Sequence, residues 1–178
     1  KETGVCTIKM IKELDAGPIL AKERFLINLD ETNSSLSQKL SIIGANQLLD
    51  VINNLEIISE IPQESEGVTY AFKIHKSETR INWNLPGKIV DRFIRGLSEK
   101  PGAWSMMNGS RVKILKSKYV KLGGEIGQNI ISSEKKSSLL IACSEDSVEV
   151  EIIQKEGKKP VSASEFISGY KGKNICFE

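Results

Sequence analysis

The parts of this sequence able to do chemistry are few: a turn, Leu14-Asp15-Ala16-Gly17-Pro18, a single histidine at position 75, three cysteines, and a lysine-dense run, RVKILKSKYV, at 111–120. A carboxylate fixed in a rigid turn can orient an imidazole, hold a water or carry a proton between two nitrogens. Asp is also an ordinary turn residue, so spacing alone makes Asp15 a turn former first. His75 lies among Lys73, Lys76 and Glu78 and reads as a solvated residue of a connecting segment. Cys6, Cys143 and Cys176 are odd in number, far apart and without histidine at ligand spacing. Neither a disulfide framework nor a metal site is therefore expected, and a reducing cytosol fits best. Trp83 and Trp104 could stack on nucleotide bases, but their apolar contexts favour core packing.

The lysines need a direction. Lys113, Lys116 and Lys118 interleave with Val112, Ile114 and Leu115, so some of them share one strand face, and Arg111, Lys121, Lys158 and Lys159 extend the patch. Such lysines are usually only solubilising. The overall charge of +2 hides an asymmetry, however: residues 1–83 hold 9 Lys and Arg against 12 Asp and Glu, whereas 84–178 hold 16 against 11. The C-terminal half is the one suited to a polyanion, and its contacts would be to phosphate, which positions without reading sequence.

The elements that must carry these residues follow from pattern. With 39% hydrophobic and 27% charged residues over 178 positions, the chain has material for one ordinary core or two small ones. No apolar run approaches the ~18 residues that span a bilayer, and the first residues lack a signal-peptide pattern, so no membrane association is expected. GVCTIKMI (4–11) and ILAKERFLI (19–27) read as a hairpin with a long shaped loop. The following segment places Leu36, Leu40, Ile43, Leu48, Val51, Ile52 and Leu55 at helical spacing, with Ser35 and Gln38 as a capping box. A second helix follows Pro86, using Ile89, Val90, Phe93, Ile94 and Leu97. RVKILKSKYV, EIGQNII, SLLIAC and SVEVEII are short β-type runs, and Ser162 with Glu165 caps a closing helix. The expected organisation is an α/β segment at 1–60, a linker at 61–83 and a basic, mostly β domain at 84–178. A hairpin and one helix leave a sheet face uncovered, so the first segment reads as the tail of a larger α/β domain.

Glu2-Thr3-Gly4-Val5, a strand, and Leu14-Asp15-Ala16-Gly17-Pro18 together resemble the closing segment of the catalytic domain in enzymes that take a formyl group from 10-formyltetrahydrofolate. Tyr70-Ala71-Phe72-Lys73-Ile74, Ile81-Asn82-Trp83, Ile94-Arg95-Gly96-Leu97 and Pro101-Gly102-Ala103-Trp104 resemble the linker and C-terminal domain of two branches of that family. Gly157-Lys158-Lys159-Pro160-Val161-Ser162, with Glu165-Phe166, is similar to the ending of the branch that formylates methionyl-tRNA. The resemblance implies a Rossmann-like tail followed by a small OB-like β-barrel. It implies Asp15 as a catalytic residue, Leu14, Gly17 and Pro18 as the loop beside the pterin, 10-formyltetrahydrofolate as co-substrate and initiator methionyl-tRNA as partner. It also gives Lys73, Lys76 and Arg80, with Lys113, Lys116, Lys118, Lys158 and Lys159, a reason to meet tRNA. A cytoplasmic monomer of bacterial type, or one of an organellar matrix, is expected. The family's Asn, His and Ser-Leu-Leu-Pro segment lie upstream of the Thr-Gly-Val strand and have no counterpart here, so these residues alone are expected to be inactive. A formyltetrahydrofolate hydrolase and a stand-alone RNA-binding module are the rival readings.

Overall fold

The computed structural model describes residues 1–129, 138–170 and 175–178, and the chain divides into two units, Lys1–Lys73 and Ile74–Glu178. No helix among the described residues is long and apolar enough to cross a membrane.

In the first unit, β1 (Glu2–Ile8) and β2 (Ile19–Leu26) pair antiparallel, with a register irregularity at Thr7/Ile8 where the chain leaves for the loop 9–18. The helix α1 (Asn33–Asn53) begins one turn earlier than its pattern suggests. Its cap is Thr32, whose hydroxyl accepts from the Ser35 amide at 3.2 Å while the Thr32 amide donates to the Ser35 hydroxyl at 3.0 Å. Ser35 is thus the last residue of the capping box, not its first. The helix meets the hairpin through Leu36, Leu40, Ile43, Gln47 and Val51, and the Gln47 side chain accepts from the Thr7 hydroxyl at 2.8 Å. Leu48, Ile52 and Leu55, expected on the packed face, are half or more exposed. The helix turns them away from a hairpin too narrow to cover a second stripe.

The second unit starts with residues that a linker would have left in solvent. Ile81 and Trp83 are 3% exposed and belong to the core, and the Ile81 amide bonds the Trp104 carbonyl at 2.8 Å. The helix α2 (Gly87–Leu97) buries Val90, Asp91, Ile94 and Leu97, leaving Ile89 outside. Asp91 is held at both oxygens, by Arg95 Nε at 2.9 Å and by the Ser117 hydroxyl at 2.8 Å, so its burial leaves no unpaired charge. The strands β3 (Ala103–Met107), β4 (Ser110–Val120), β5 (Leu139–Ala142) and β6 (Ser147–Lys155) form an antiparallel sheet in the order β3-β4-β6-β5, and the short β7 (Val161–Ser162) adds to β6. The β3–β4 turn is Asn108-Gly109, both residues at positive φ, the two-residue geometry that asparagine and glycine tolerate best. The helix α3 (Ala163–Ser168) is capped by Ser162, as expected: its hydroxyl accepts from the Glu165 amide at 3.2 Å and its amide donates to the Glu165 carboxylate at 3.0 Å. The amide at Ser162 holds the Glu165 carboxyl below its ordinary range.

The regular strands make an open sheet and not the closed barrel expected. EIGQNII is no regular strand among the described residues: Gln128 and Asn129 form single bridges, to Cys176 and Ile141, and Ile130 and Ile131 lie outside the described residues. Met107 bridges Phe177 in turn, so isolated bonds run from β3 through 175–177 and 127–129 to β5.

Candidate functional site

Two groups of residues carry the chemistry, one in each unit. In the first, the loop 9–18 is fixed by its backbone. The Lys9 amide bonds the Pro18 carbonyl at 2.9 Å, and Gln63 donates from Nε2 to the carbonyls of Asp15 and Gly17 at 2.8 and 2.6 Å. Gln63 is delivered there by a reciprocal pair of bonds between Ile19 and Ile61, at 2.7 and 3.0 Å. Gly17 is buried, and a Cβ on it would stand 1.7 Å from the Lys9 carbonyl oxygen, so only glycine fits. Asp15 sits at the loop's exposed tip with φ 55, a left-handed conformation that costs a non-glycine residue free energy. Leu14 is 89% exposed beside it, and Pro18 closes the loop half-buried. The loop therefore presents a carboxylate and an apolar side chain outward on a backbone pinned from behind.

In the second unit, strict alternation along β4 would put Lys113 opposite Lys116 and Lys118. The strand is irregular between Ile114 and Lys116, where Leu115 is inserted as an extra inward residue. Val112, Ile114, Leu115 and Ser117 are buried, so Arg111, Lys113, Lys116 and Lys118 all fall on the outer face. Their electrostatic settings differ. Lys116 pairs with Glu151 on β6 at 2.9 Å, and Lys118 lies in register with Glu149. Lys113 instead donates to the Pro101 carbonyl at 2.8 Å, which leaves its charge intact.

Trp104 departs from its expected place in the core. It is half-buried on β3, donates from Nε1 to the Lys76 carbonyl at 3.1 Å, and carries the Arg111 and Arg80 guanidinium groups 4.2 and 5.6 Å from its ring centroid. Trp83 does pack in the core, its Nε1 donating to the Ser105 hydroxyl at 2.9 Å and its ring edge-on to Phe177. Lys76 begins a short 3-10 turn, Lys76–Thr79, and is exposed, as are Arg80, Lys158 and Lys159. Lys73 is exposed at the end of the first unit. His75 is exposed at the start of that turn, its amide donating to Glu78 at 2.7 Å. Lys155, not considered from sequence, lies 5.0 Å from the Phe166 ring centroid. Phe166 lies eleven residues further along the chain, so no local pattern marked the pair.

Residues 73–171 match the family model described as formyl transferase, C-terminal domain. The chain is 41% identical over 169 residues to a methionyl-tRNA formyltransferase of Cereibacter sphaeroides (strain ATCC 17025 / ATH 2.4.3) and 43% identical over 168 residues to that of Paracoccus denitrificans (strain Pd 1222). The matches cover 95% and 94% of this chain and 54% of each relative, so the chain spans about half the length of the curated relatives it matches. In fold it is similar to HypX from Aquifex aeolicus, solved in complex with tetrahydrofolic acid, with TM-score 0.74 at 18% identity over 99% of this chain and 34% of that one.

Proposed function

The chain belongs to the formyl transferase family through its C-terminal domain, and from that membership we propose that it takes part in moving a formyl group from 10-formyltetrahydrofolate to the amino group of initiator methionyl-tRNA. The observation that carries the proposal is similarity to methionyl-tRNA formyltransferases along nearly the whole chain, through both units. In the reaction the methionyl amine attacks the formyl carbon, the new C–N bond forms, the bond to the folate nitrogen breaks, and one proton passes from the attacking to the leaving nitrogen.

Asp15 is the residue of this chain proposed to serve that proton path, by orienting a base and a water supplied from outside these residues. Its placement supports the assignment: the carboxylate is exposed at the tip of a loop whose backbone is pinned from behind by Gln63. Leu14, Gly17 and Pro18 are proposed to shape the folate side of the loop. The second unit is proposed to be an OB-like domain that holds tRNA by phosphate contacts through Lys76, Arg80, Lys113, Lys116, Lys118, Lys158 and Lys159, with Lys73 on the approach. The bridges joining the edges β3 and β5 support that reading of its fold. A bacterial cytoplasmic setting and a monomeric state complete the proposal.

The test is an acceptor panel given to a full-length polypeptide that contains these residues, with 10-formyltetrahydrofolate as donor. N-formylmethionyl-tRNA as the product supports the proposal. Release of formate with no acylated amine, in the presence of methionyl-tRNA, would replace it with hydrolysis.

A further inference from the structure

The outer face of β4 ends in a hollow of about 430 Å³ whose lining includes Lys76, Arg111, Lys113, Lys155 and one carboxylate, Glu156. Four cations facing one acid is unusual in a fold where other outward lysines of the same strand have acidic neighbours. Among the described residues none of the four forms a salt bridge. Three of them are held by groups that fix position without cancelling charge. Arg111 lies 4.2 Å from the Trp104 ring centroid. Lys155 is 5.0 Å from that of Phe166, which is stacked on Tyr170. Lys113 is bonded to the Pro101 carbonyl. A guanidinium laid on a ring keeps its N–H groups free in its own plane, where they match two oxygens of a phosphate. Gly102 keeps the wall thin: at φ +83, a Cβ would come within 3.0 Å of the Lys113 side chain.

The geometry points to a phosphate-binding site in this hollow, with Arg111 as the two-pronged contact and Lys76, Lys113 and Lys155 around it. The site itself stands on the geometry alone; that its phosphate belongs to an RNA backbone rests on the function proposed above. A polynucleotide phosphate suits it because the hollow continues the outer face of β4, on which Lys116 and Lys118 lie further along.

The 178-residue chain has two indole N–H groups, one on Trp104 at the hollow and one on Trp83 in the core, so its NMR spectrum carries its own control. Inorganic phosphate should move the Trp104 indole signal and leave that of Trp83, and Arg111→Gln should abolish the movement while Lys88→Gln, at an exposed position of α2 outside the hollow, keeps it. Because Arg111→Gln could disturb β3, Lys76→Gln, a change at an exposed side chain, should weaken the response as well. For the RNA source, binding of a tRNA-like hairpin to wild type should fall steeply with salt, and Arg111→Gln should lower the slope of log affinity against log salt by about one. A phosphate response with an unchanged RNA slope assigns the site to a small phosphate ligand. A Trp104 signal indifferent to both phosphate and RNA, or equal responses in wild type and both variants, overturns the site. Loss of formyl transfer with this response intact would count only against the proposed function.

Discussion

The Arg111 guanidinium lies 4.2 Å from the centre of the Trp104 ring, on a strand whose last two outward lysines have acidic neighbours, Lys116 in an ion pair with Glu151 and Lys118 in register with Glu149. Ring and carboxylate both hold a cation still, but only the carboxylate neutralises it. The basic face of this unit is thereby graded, weak at the Lys118 end and strong at the Arg111 end.

Trp104→Leu tests what the ring adds. The substitution leaves every charge in place and frees Arg111 to swing, so RNA affinity should fall about two- to fivefold, the equivalent of a cation–π contact of ~0.5–1 kcal/mol. Fluorescence anisotropy with a labelled tRNA at fixed salt reads it. Unchanged affinity in a variant with a normal melting curve would leave Trp104 a packing residue.

Glu151→Gln tests the grading from the other side. Removing the acid releases Lys116 from its 2.9 Å pair, so RNA binding should tighten severalfold at low salt, and the gain should fade near 1 M salt as screening shortens the range to about 3 Å. A variant that binds more weakly, or gains equally at every salt concentration, contradicts it.

These predictions turn on features unequally legible in the sequence. The hairpin, α1, α2 and the capping of α3 could be read, because apolar spacing and capping residues are local signals. Which lysines share a face could not, since the phase of β4 is reset by Leu115, an apolar residue that looks like any other until its register with β6 is known. Trp104 was misplaced for a related reason: an apolar neighbourhood in sequence says nothing of an arginine on the adjacent strand. The β3–β4 hairpin was missed although Asn108-Gly109 announced it. Ile81 fell within the expected linker because its partner, Trp104, lies 23 residues away, whereas the core place of Trp83 could be read from its apolar context. In the turn at Asp15 the glycine and proline were visible, whereas Gln63, which holds the loop from behind, carries no local pattern.

Gly17→Ala should damage the loop without touching its chemistry. The new methyl group would overlap the Lys9 carbonyl oxygen, 1.7 Å away, so the loop must shift and stability should fall by about 1–3 kcal/mol. Limited proteolysis within residues 9–18, together with a thermal melt, checks this. A variant as resistant and as stable as wild type would mean the loop is not pinned as described.

Cys143 gives an alkaline signature. Burial pushes its thiol up to about 12, whereas in an unfolded chain it titrates near 8.5. The native state keeps a proton that the unfolded state loses, so this contribution is fully present below about pH 8.5 and is lost as pH rises towards 12. Between pH 8 and 10.5 the melting temperature of wild type should fall more than that of Cys143→Ala. Parallel curves would contradict it. At pH 8 the exposed Cys6 should react readily with a thiol reagent while Cys143 stays protected until unfolding.

The most direct measurement is the rate of formyl transfer to methionyl-tRNA by a full-length polypeptide that contains these residues, compared between wild type, Asp15→Asn and Asp15→Gly. Glycine relieves the left-handed backbone at φ 55, so Asp15→Gly should melt at or above the wild-type temperature, and Asp15→Asn close to it. Both should nonetheless lower kcat by about two or more orders of magnitude, because each removes the carboxylate proposed to serve the proton path. Stability kept with activity lost is the predicted result; near-normal kcat in either variant would contradict it and return Asp15 to the role of a turn residue.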